Sequence, residues 1–192
     1  MKTLFEQKNQ DFSNRAHDAA EAQIYPFLFP EPRQRNGRMT FERASVGMGG
    51  VARLLDGEMA TDWIVRVHGF NYLAPFCFAV QERFRDPSYI DKYGEELTVT
   101  TWNNASNQPS ELYKLYAGVF VYGYYNAKRN SFESWIAVHS CALLLGLLND
   151  SFHGLREQTN KKGQDFLAIP FDSLASVPGV VVSRFTAQQA AA

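Results

Sequence analysis

Apolar and polar residues alternate along several short segments of this chain, as they do in β-strands that cover a core on one face. In MATDWIVRVHG, residues 59–69, every second residue from Trp63 to Val67 faces one side, while Asp62 and His68 fall on the other. A second segment, LAPFCFAVQERFR, is apolar on both faces as far as Val80 and then becomes polar. We expect residues 55–85 to form two strands joined by a short loop, with Asp62 in the first.

Other segments predict further strands. EELTVTTW, which starts at Glu95, has an alternating pattern, and SFESWIAVHS, which starts at Ser131, has an apolar centre. FERAS, from Phe41, predicts a short strand. FLAIPF, from Phe166, predicts an edge strand, because an edge tolerates Pro170.

Three segments predict helices. Residues 13–25 are rich in alanine, with Ser13 as a plausible N-cap and Pro26 as the stop. Ser110 is predicted to cap a long helix, ELYKLYAGVFVYGYYN, on which Glu111 and Lys114 share a stripe. Residues 142–149 predict a short helix. Residues 30–40, 152–164 and the Gly-rich segment from residue 46 predict loops, and the last residues predict a frayed tail.

Composition favours a single folded domain. The chain has 192 residues, of which 45% are hydrophobic and 14% aromatic, enough for a sizeable core. We expect one domain over residues 1–192 with its core at 13–172. A net charge of −1 excludes a basic field over the whole surface, so nucleic-acid binding requires a local patch. One arginine-rich stretch contains Arg33, Arg35, Arg38, Arg43 and Arg53.

Two cysteines, Cys77 and Cys141, lie in apolar runs and predict buried free thiols in a reducing compartment. Their spacing is not that of a zinc site. The N-terminus lacks the apolar stretch of a signal peptide, and the longest apolar run is far shorter than the ~20 residues that cross a bilayer. These features predict a cytoplasmic protein with no membrane partner.

The candidate chemistry lies on the two central strands. Asp62 is unusual because aspartate is disfavoured in strands, and a residue that breaks a local rule often marks a functional site. The alternative explanation is an aspartate at the edge of a strand, in a turn. On the next strand Gln81 and Arg83 share one face, whereas Glu82 points the other way. Oxygen ligands on adjacent strands beside a cation are an arrangement that holds a divalent metal next to a phosphate. Whether Gln81 or Glu82 faces the metal depends on the strand register.

At Asp62 and Gln81-Glu82-Arg83 the chain resembles the PD-(D/E)XK nuclease superfamily, over roughly residues 13–145. The resemblance implies an α/β fold: a central mixed β-sheet flanked by helices, with a restriction-endonuclease-like αβββαβ core. Glu21 falls in the predicted first helix, where the family carries a glutamate.

The activity that the resemblance implies is metal-dependent hydrolysis of phosphodiester bonds in nucleic acid, most often DNA. Mg²⁺ or Mn²⁺ would be bound by Asp62, Gln81 or Glu82, and Glu21. Arg83 departs from the family pattern, which has lysine there; arginine stays protonated and is no general base. Some family members carry the lysine on the following helix, where Lys114 is the candidate.

Two alternatives stay open. One is a catalytically inactive nuclease-fold protein that acts as a binding or assembly module. The other is a different enzyme that uses His68, His139 and Asp62 as acid–base groups, although GxSxG and HExxH motifs are missing. Metal dependence separates the nuclease from both. The aromatic-rich segments also indicate a homodimer.

Overall fold

The computed structural model describes residues 4–28, 39–44, 50–68 and 76–186. The helices are α1 Leu4–Gln23, α2 Tyr25–Leu28, α3 Gly50–Met59, α4 Ser88–Tyr93, α5 Ser140–Leu148 and α6 Phe171–Ser176, with a 3₁₀ turn at Glu111–Lys114. The strands are β1 Met39–Arg43, β2 Trp63–Val67, β3 Phe76–Arg85, β4 Glu96–Asn103, β5 Gln108–Pro109, β6 Val119–Asn126, β7 Ser131–His139, β8 Arg156–Thr159, β9 Gln164–Pro170 and β10 Val181–Phe185.

Six of the described strands form the main sheet, in the order β1-β2-β3-β6-β7-β10. β3 and β6 run parallel, and the other neighbours are antiparallel. A mixed α/β fold with a central mixed sheet flanked by helices is therefore confirmed. The antiparallel pairing of β2 with β3 also confirms the predicted pair of central strands.

Helix α1 packs against one face of this sheet. Its inward stripe is small, with Ala16, Ala19 and Ala20 all buried, which lets the helix approach the valines of the sheet closely. The predicted start at Ser13 is wrong, because the helix begins at Leu4 and runs through it. Pro26 does not end the helical segment either, since it lies in the first turn of α2, where its missing N–H costs nothing.

A second sheet, β5-β4-β9-β8, covers the other face of the main sheet together with α5 and α6. Leu97 and Val99 of β4 and Ile169 of β9 share a core with Phe120 and Tyr122 of the main sheet. The strand predicted from Glu95 is therefore real but belongs to a different sheet from the Asp62 strand. β9 is an inner strand, not the predicted edge, because β8 pairs with it in the segment predicted as a loop.

The predicted long helix after Ser110 is wrong. Only a single 3₁₀ turn forms, and VFVYGYYN becomes the inner strand β6. Its side chains alternate between two cores, with Phe120 and Tyr122 on one side and Val121 and Tyr125 on the other. A run that is apolar on both faces has no helical stripe, and β-branched and aromatic residues favour a strand.

Residues 50–59 also differ from the prediction, because they form the helix α3 and not a flexible connection. Residues 45–49, which hold the remaining glycines of that segment, lie outside the described ranges, as do Arg33, Arg35 and Arg38. Helix α6 and strand β10 were not predicted. Both cysteines are free, but Cys77 and Cys141 are exposed and not buried as expected, since each lies on the outer side of its element. None of the described helices is long and apolar enough to span a membrane.

Candidate active site

Asp62 lies immediately before β2, at the point where the pairing with β3 ends. Its backbone N–H donates to the Val80 carbonyl at 3.0 Å, and its own carbonyl accepts the Ala44 N–H at 2.7 Å. Its side-chain Oδ2 accepts the backbone N–H of Glu82 at 2.7 Å. The carboxylate therefore occupies the place that a backbone carbonyl would take if β2 continued.

The register of β3 separates the three polar residues that follow Val80. Gln81 and Arg83 face the second sheet, where both contact Glu111 of the 3₁₀ turn. Glu82 faces α1, where it contacts His17 and Tyr25. The register left open by the sequence therefore places Gln81 on the face covered by the second sheet and Glu82 on the face covered by α1.

Gln81, Arg83 and Glu111 form a tight polar group. Gln81 Nε2 donates to Glu111 Oε1 at 3.2 Å, and Arg83 NH2 lies 2.6 Å from Glu111 Oε2. The Thr100 N–H also donates to Oε2, at 3.3 Å. Both oxygens of Glu111 are accordingly bonded, and its side chain is only 8% exposed. A buried carboxylate with this many donors holds Arg83 in one orientation.

Gln81 leaves one strong acceptor unused. Its side-chain Oε1 is buried and has no hydrogen-bond partner among the described residues. Turning the amide over would not help, because the carboxylate of Glu111 accepts hydrogen bonds and cannot donate one to an oxygen. A buried amide oxygen without a donor is costly in an apoprotein and is available to a cation.

The Asp62 carboxyl group is protonated more readily than an ordinary aspartate. Burial, together with the nearby negative charges of Glu82, Asp56 and Glu111, raises the pKa of Asp62 to about 7, against the opposing hydrogen bond from the Glu82 N–H. Excess negative potential of this kind is what a bound cation relieves. Perturbed carboxyl groups of this sort are concentrated at functional sites.

Gln81, Arg83 and Glu111 line a cavity of about 1070 Å³ that lies between the main sheet and the second sheet, and Asp62 is not among its lining residues. This volume is just above the range of about 300–1,000 Å³ for small-molecule sites. Its lining includes five basic and three acidic side chains: Arg83, Arg85, Lys114, Lys161 and Lys162, with Asp56, Glu96 and Glu111. The lining is thus locally basic in a chain whose net charge is −1.

Lys114 reaches the cavity from the 3₁₀ turn, although the long helix predicted to carry it does not exist. Its Nζ is 3.8 Å from a carboxylate oxygen of Glu58, which is mostly exposed. A pair this long and this solvated contributes little to stability.

The opposite face of β3 carries a second network, centred on Glu82. His17 Nδ1 lies 2.9 Å from Glu82 Oε2, Tyr25 donates to Oε1 at 2.6 Å, and His17 Nε2 lies 2.9 Å from Glu21. Burial lowers the pKa of His17, but the hydrogen bond and charge of Glu82, with the charge of Glu21, outweigh it and raise the pKa overall. Burial, with the charge of Glu82, also raises the pKa of Tyr25.

The predicted site residues therefore fall into two groups. Gln81, Arg83 and Lys114 line the cavity, whereas Asp62, just before β2, does not line it and bonds the Glu82 N–H. Glu82 and Glu21 lie on the other face of the main sheet, where both carboxylates contact His17. Within the described ranges no three His, Cys, Asp or Glu side chains are arranged to hold a metal ion. A cation site here consequently needs the amide oxygen of Gln81.

The histidines of the alternative enzyme, His68 and His139, do not lie together with Asp62. His139 ends β7, which β3 and β6 separate from β2. His68 follows the far end of β2, six residues from Asp62, which is about 20 Å along an extended chain. Its Nε2 lies 3.0 Å from the hydroxyl of Thr40 on β1.

Sequence reasoning missed the central role of Glu111, which it placed on a helical stripe, and it missed Asp56 altogether. Glu111 contacts Gln81 across 30 residues of sequence, from a 3₁₀ turn that packs against β4, and nothing local in ELYK indicates that contact.

No protein-family model matches this chain, and neither does any curated protein or solved structure. The function is therefore argued from the geometry of the site.

Proposed function

We propose that the chain is a metal-dependent nuclease that hydrolyses phosphodiester bonds in nucleic acid, DNA in particular, at Asp62 and Gln81. The observation that carries the proposal is the buried Oε1 of Gln81, which has no hydrogen-bond partner among the described residues; the next residue, Glu82, donates its N–H to the Asp62 carboxyl group, whose pKa is raised to about 7. Both features describe a site that is more stable with a cation than without one.

The order of elements supports the same proposal. Helix α1 precedes the antiparallel strands β1, β2 and β3, and β6 then lies beside β3 and parallel to it. This order agrees with the αβββαβ core of the PD-(D/E)XK nucleases, with Asp62 and Gln81-Glu82-Arg83 on the hairpin. It departs from that core between β3 and β6, where the short helix α4 and the strands β4 and β5 replace a long helix.

Mg²⁺ or Mn²⁺ would take the Asp62 carboxylate and Gln81 Oε1 as ligands, since both ions prefer oxygen. The oxygens of Glu111 are already bonded, and Glu82 and Glu21 are bound to His17 on the other face. When bound, the metal would supply an activated water and neutralise charge on the phosphate. Asp62 would lose its proton on binding and contribute a full negative charge.

The basic residues of the site orient the phosphate in this proposal. Arg83 is held by Glu111, so its remaining donors present a fixed positive fork at the cavity wall. Lys114 also lines the cavity and adds a second cation that faces the phosphate. Neither residue needs to change protonation for these roles.

One observation favours the alternative of a catalytically inactive binding module. Arg83 stands where the family has lysine, and its guanidinium is 2.6 Å from a buried carboxylate. A cation neutralised in this way contributes less to charge stabilisation at the phosphate. This alternative predicts nucleic-acid binding without cleavage.

Cleavage of duplex, single-stranded and branched DNA and of RNA tests the proposal, with Mg²⁺, Mn²⁺ or EDTA. We expect metal-dependent cutting that Asp62→Asn and Gln81→Met abolish and that Asp172→Asn, an exposed carboxylate paired with Arg184, leaves intact. As a readout besides activity, Mg²⁺ should raise the Tm of the wild type more than that of Asp62→Asn. Folded protein that cuts no substrate and shows no metal-dependent shift would refute the nuclease.

A homodimer and a cytoplasmic location stay proposals. Helix α5 supports the first, because Leu145 and Leu148 are 59% and 81% exposed on it. Sedimentation velocity at micromolar concentration, with Leu148→Glu for comparison, tests whether this face joins two copies.

A further inference from the structure

Two tyrosines stand exposed at the wall of the cavity. Tyr89 and Tyr93 lie four residues apart on α4, and they are 46% and 40% exposed. Their ring centroids are 6.1 Å apart with the planes inclined by 32°, so the two rings form one aromatic surface. Side chains of this size usually bury their rings, and an exposed pair at a cavity indicates a ligand with a flat surface.

Each ring has a cation over one of its faces, which leaves the opposite face for stacking. The Arg85 guanidinium carbon is 5.8 Å from the centre of the Tyr89 ring, and Lys92 Nζ is 4.8 Å from that of Tyr93. Arg85 also lines the cavity, on the same face of β3 as Gln81 and Arg83. A ligand whose flat rings stack on the two tyrosines would therefore place the groups that join those rings near positive charge.

The turn between β8 and β9 supplies further positive charge. Lys161 and Lys162 are exposed on this turn and line the same cavity. Asn160 holds the turn in shape, because its side-chain oxygen accepts the N–H of Lys162 at 2.8 Å and that of Gln164 at 3.1 Å. Aromatic rings and fixed cations along one groove are the features of sites that track an unpaired strand.

We propose that this groove, formed by Tyr89, Tyr93, Arg85, Lys161 and Lys162, binds single-stranded nucleic acid. The bases stack on the two tyrosines, and the phosphates lie against the three cations. A duplex keeps its base faces covered inside the stack, so it offers nothing to an exposed pair of rings. This inference rests on the proposed function and specifies its substrate as an unpaired strand that leads into the Asp62–Gln81 site.

Fluorescence anisotropy tests the groove separately from cleavage. The probes are labelled single-stranded DNA, single-stranded RNA and the matching DNA duplex, all in EDTA so that no metal-dependent cutting occurs. Stacking contributes about 1–3 kcal/mol per base, so we expect Tyr89→Ala or Tyr93→Ala to weaken single-strand binding about tenfold. The control is Tyr113→Ala, a tyrosine that is 65% exposed but does not line the cavity.

Single-strand affinity above duplex affinity, lost in the Tyr89 and Tyr93 variants but kept in Tyr113→Ala, supports the proposal. A tighter complex with DNA or with RNA then identifies the sugar of the strand. Equal or tighter binding of the duplex, or unchanged affinity in the double variant Tyr89→Ala/Tyr93→Ala, overturns it. Because EDTA removes the chemistry, a protein that binds single strands but never cuts would refute only the nuclease.

Discussion

Two opposing effects act on the Asp62 carboxyl group when no cation is bound. Its carboxylate completes the β2–β3 pairing by accepting the Glu82 N–H, and it does so among three other carboxylates. The hydrogen bond favours the ionised form, whereas burial and like charge oppose it, and the opposing effects are larger. A buried carboxyl group with a raised pKa is better explained by a role in binding than by a contribution to stability.

The raised pKa of Asp62 predicts how stability depends on pH. An aspartate has a pKa near 3.8 when unfolded and about 7 here, so the folded state holds an extra proton between these values. Its contribution to stability is complete below about pH 4 and is lost as the pH rises toward 7. Urea unfolding in EDTA should show that wild type loses stability over this range relative to Asp62→Asn. Parallel curves for the two proteins would contradict the assignment.

The Glu82 network predicts a large stability effect on the other face of the sheet. Glu82 and His17 are 6% and 5% exposed, and His17 stacks on Trp63 with ring centroids 3.5 Å apart. Removing one partner of a buried pair costs about 3–5 kcal/mol. Glu82→Gln should lose this much in urea unfolding at pH 5.5, whereas Glu42→Gln, in an exposed pair with Arg66, should lose less than about 1 kcal/mol.

The Glu82 network also makes the stability of the protein depend on pH. The titrating group here is a base, His17, but stability again falls as the pH rises. The folded pKa of His17 is raised above 6.5, so its contribution is complete below that value and disappears as the pH rises through the folded pKa. The stability gap between wild type and Glu82→Gln should therefore narrow as the pH rises above 6.5. A gap that does not narrow would contradict a charged His17 paired with Glu82.

At the scale of elements, β6 and β7 approach each other closely at one glycine. A Cβ added to Gly123 would lie 2.9 Å from the Phe132 ring and 3.1 Å from the Trp135 Cβ, both of which are packed in the core. Gly123→Ala should therefore destabilise the protein by about 1–3 kcal/mol in urea unfolding. The matched control is Gly118→Ala, just before the same strand, where the added Cβ meets its nearest atom at 3.8 Å. Similar losses in both variants would contradict a local clash.

The elements also show where sequence reasoning succeeds. Alternation predicted β2, in which Val65 and Val67 are buried and Arg66 is exposed. β7 was predicted from its apolar centre, which is buried on both faces. Sequence reasoning failed at β6, because a strand buried on both faces has the same composition as a buried helix. It failed at α3 because the glycines before the helix obscured it, and at β8 because REQT is polar on both faces.

At the site, the shared face of Gln81 and Arg83 was predictable, because the period of two in a strand fixes which side chains share a face. Asp62 was expected within the first strand but lies immediately before it. Lys114 was predicted from the wrong element and still reaches the cavity. Glu111, Tyr89 and Lys161 could not be predicted, because they come from three separate segments that meet only when the second sheet folds over the first.

At the scale of the whole molecule, the binding of an anion depends more on where the charges lie than on the net charge. The chain is net −1, yet the described lining of the cavity has more basic than acidic side chains, and Glu111 and Glu96 are paired with Arg83 and Arg156. Binding of an anionic strand should therefore be local and sensitive to salt, because each neutralised phosphate releases counterions.

The salt dependence of single-strand binding measures this directly. Each phosphate contact contributes about −0.7 to the slope of log affinity against log salt concentration. Lys161→Ala should therefore make the wild-type slope shallower by about 0.7, and Lys161→Ala/Arg85→Ala by about twice that amount. The control is Lys8→Ala, an exposed lysine on α1, which packs on the opposite face of the main sheet. If Lys8→Ala changed the slope as much as Lys161→Ala, the strand would be held by diffuse attraction to the whole surface. A slope that changes only with the groove residues would place the phosphates between the two sheets, on the path to Asp62 and Gln81.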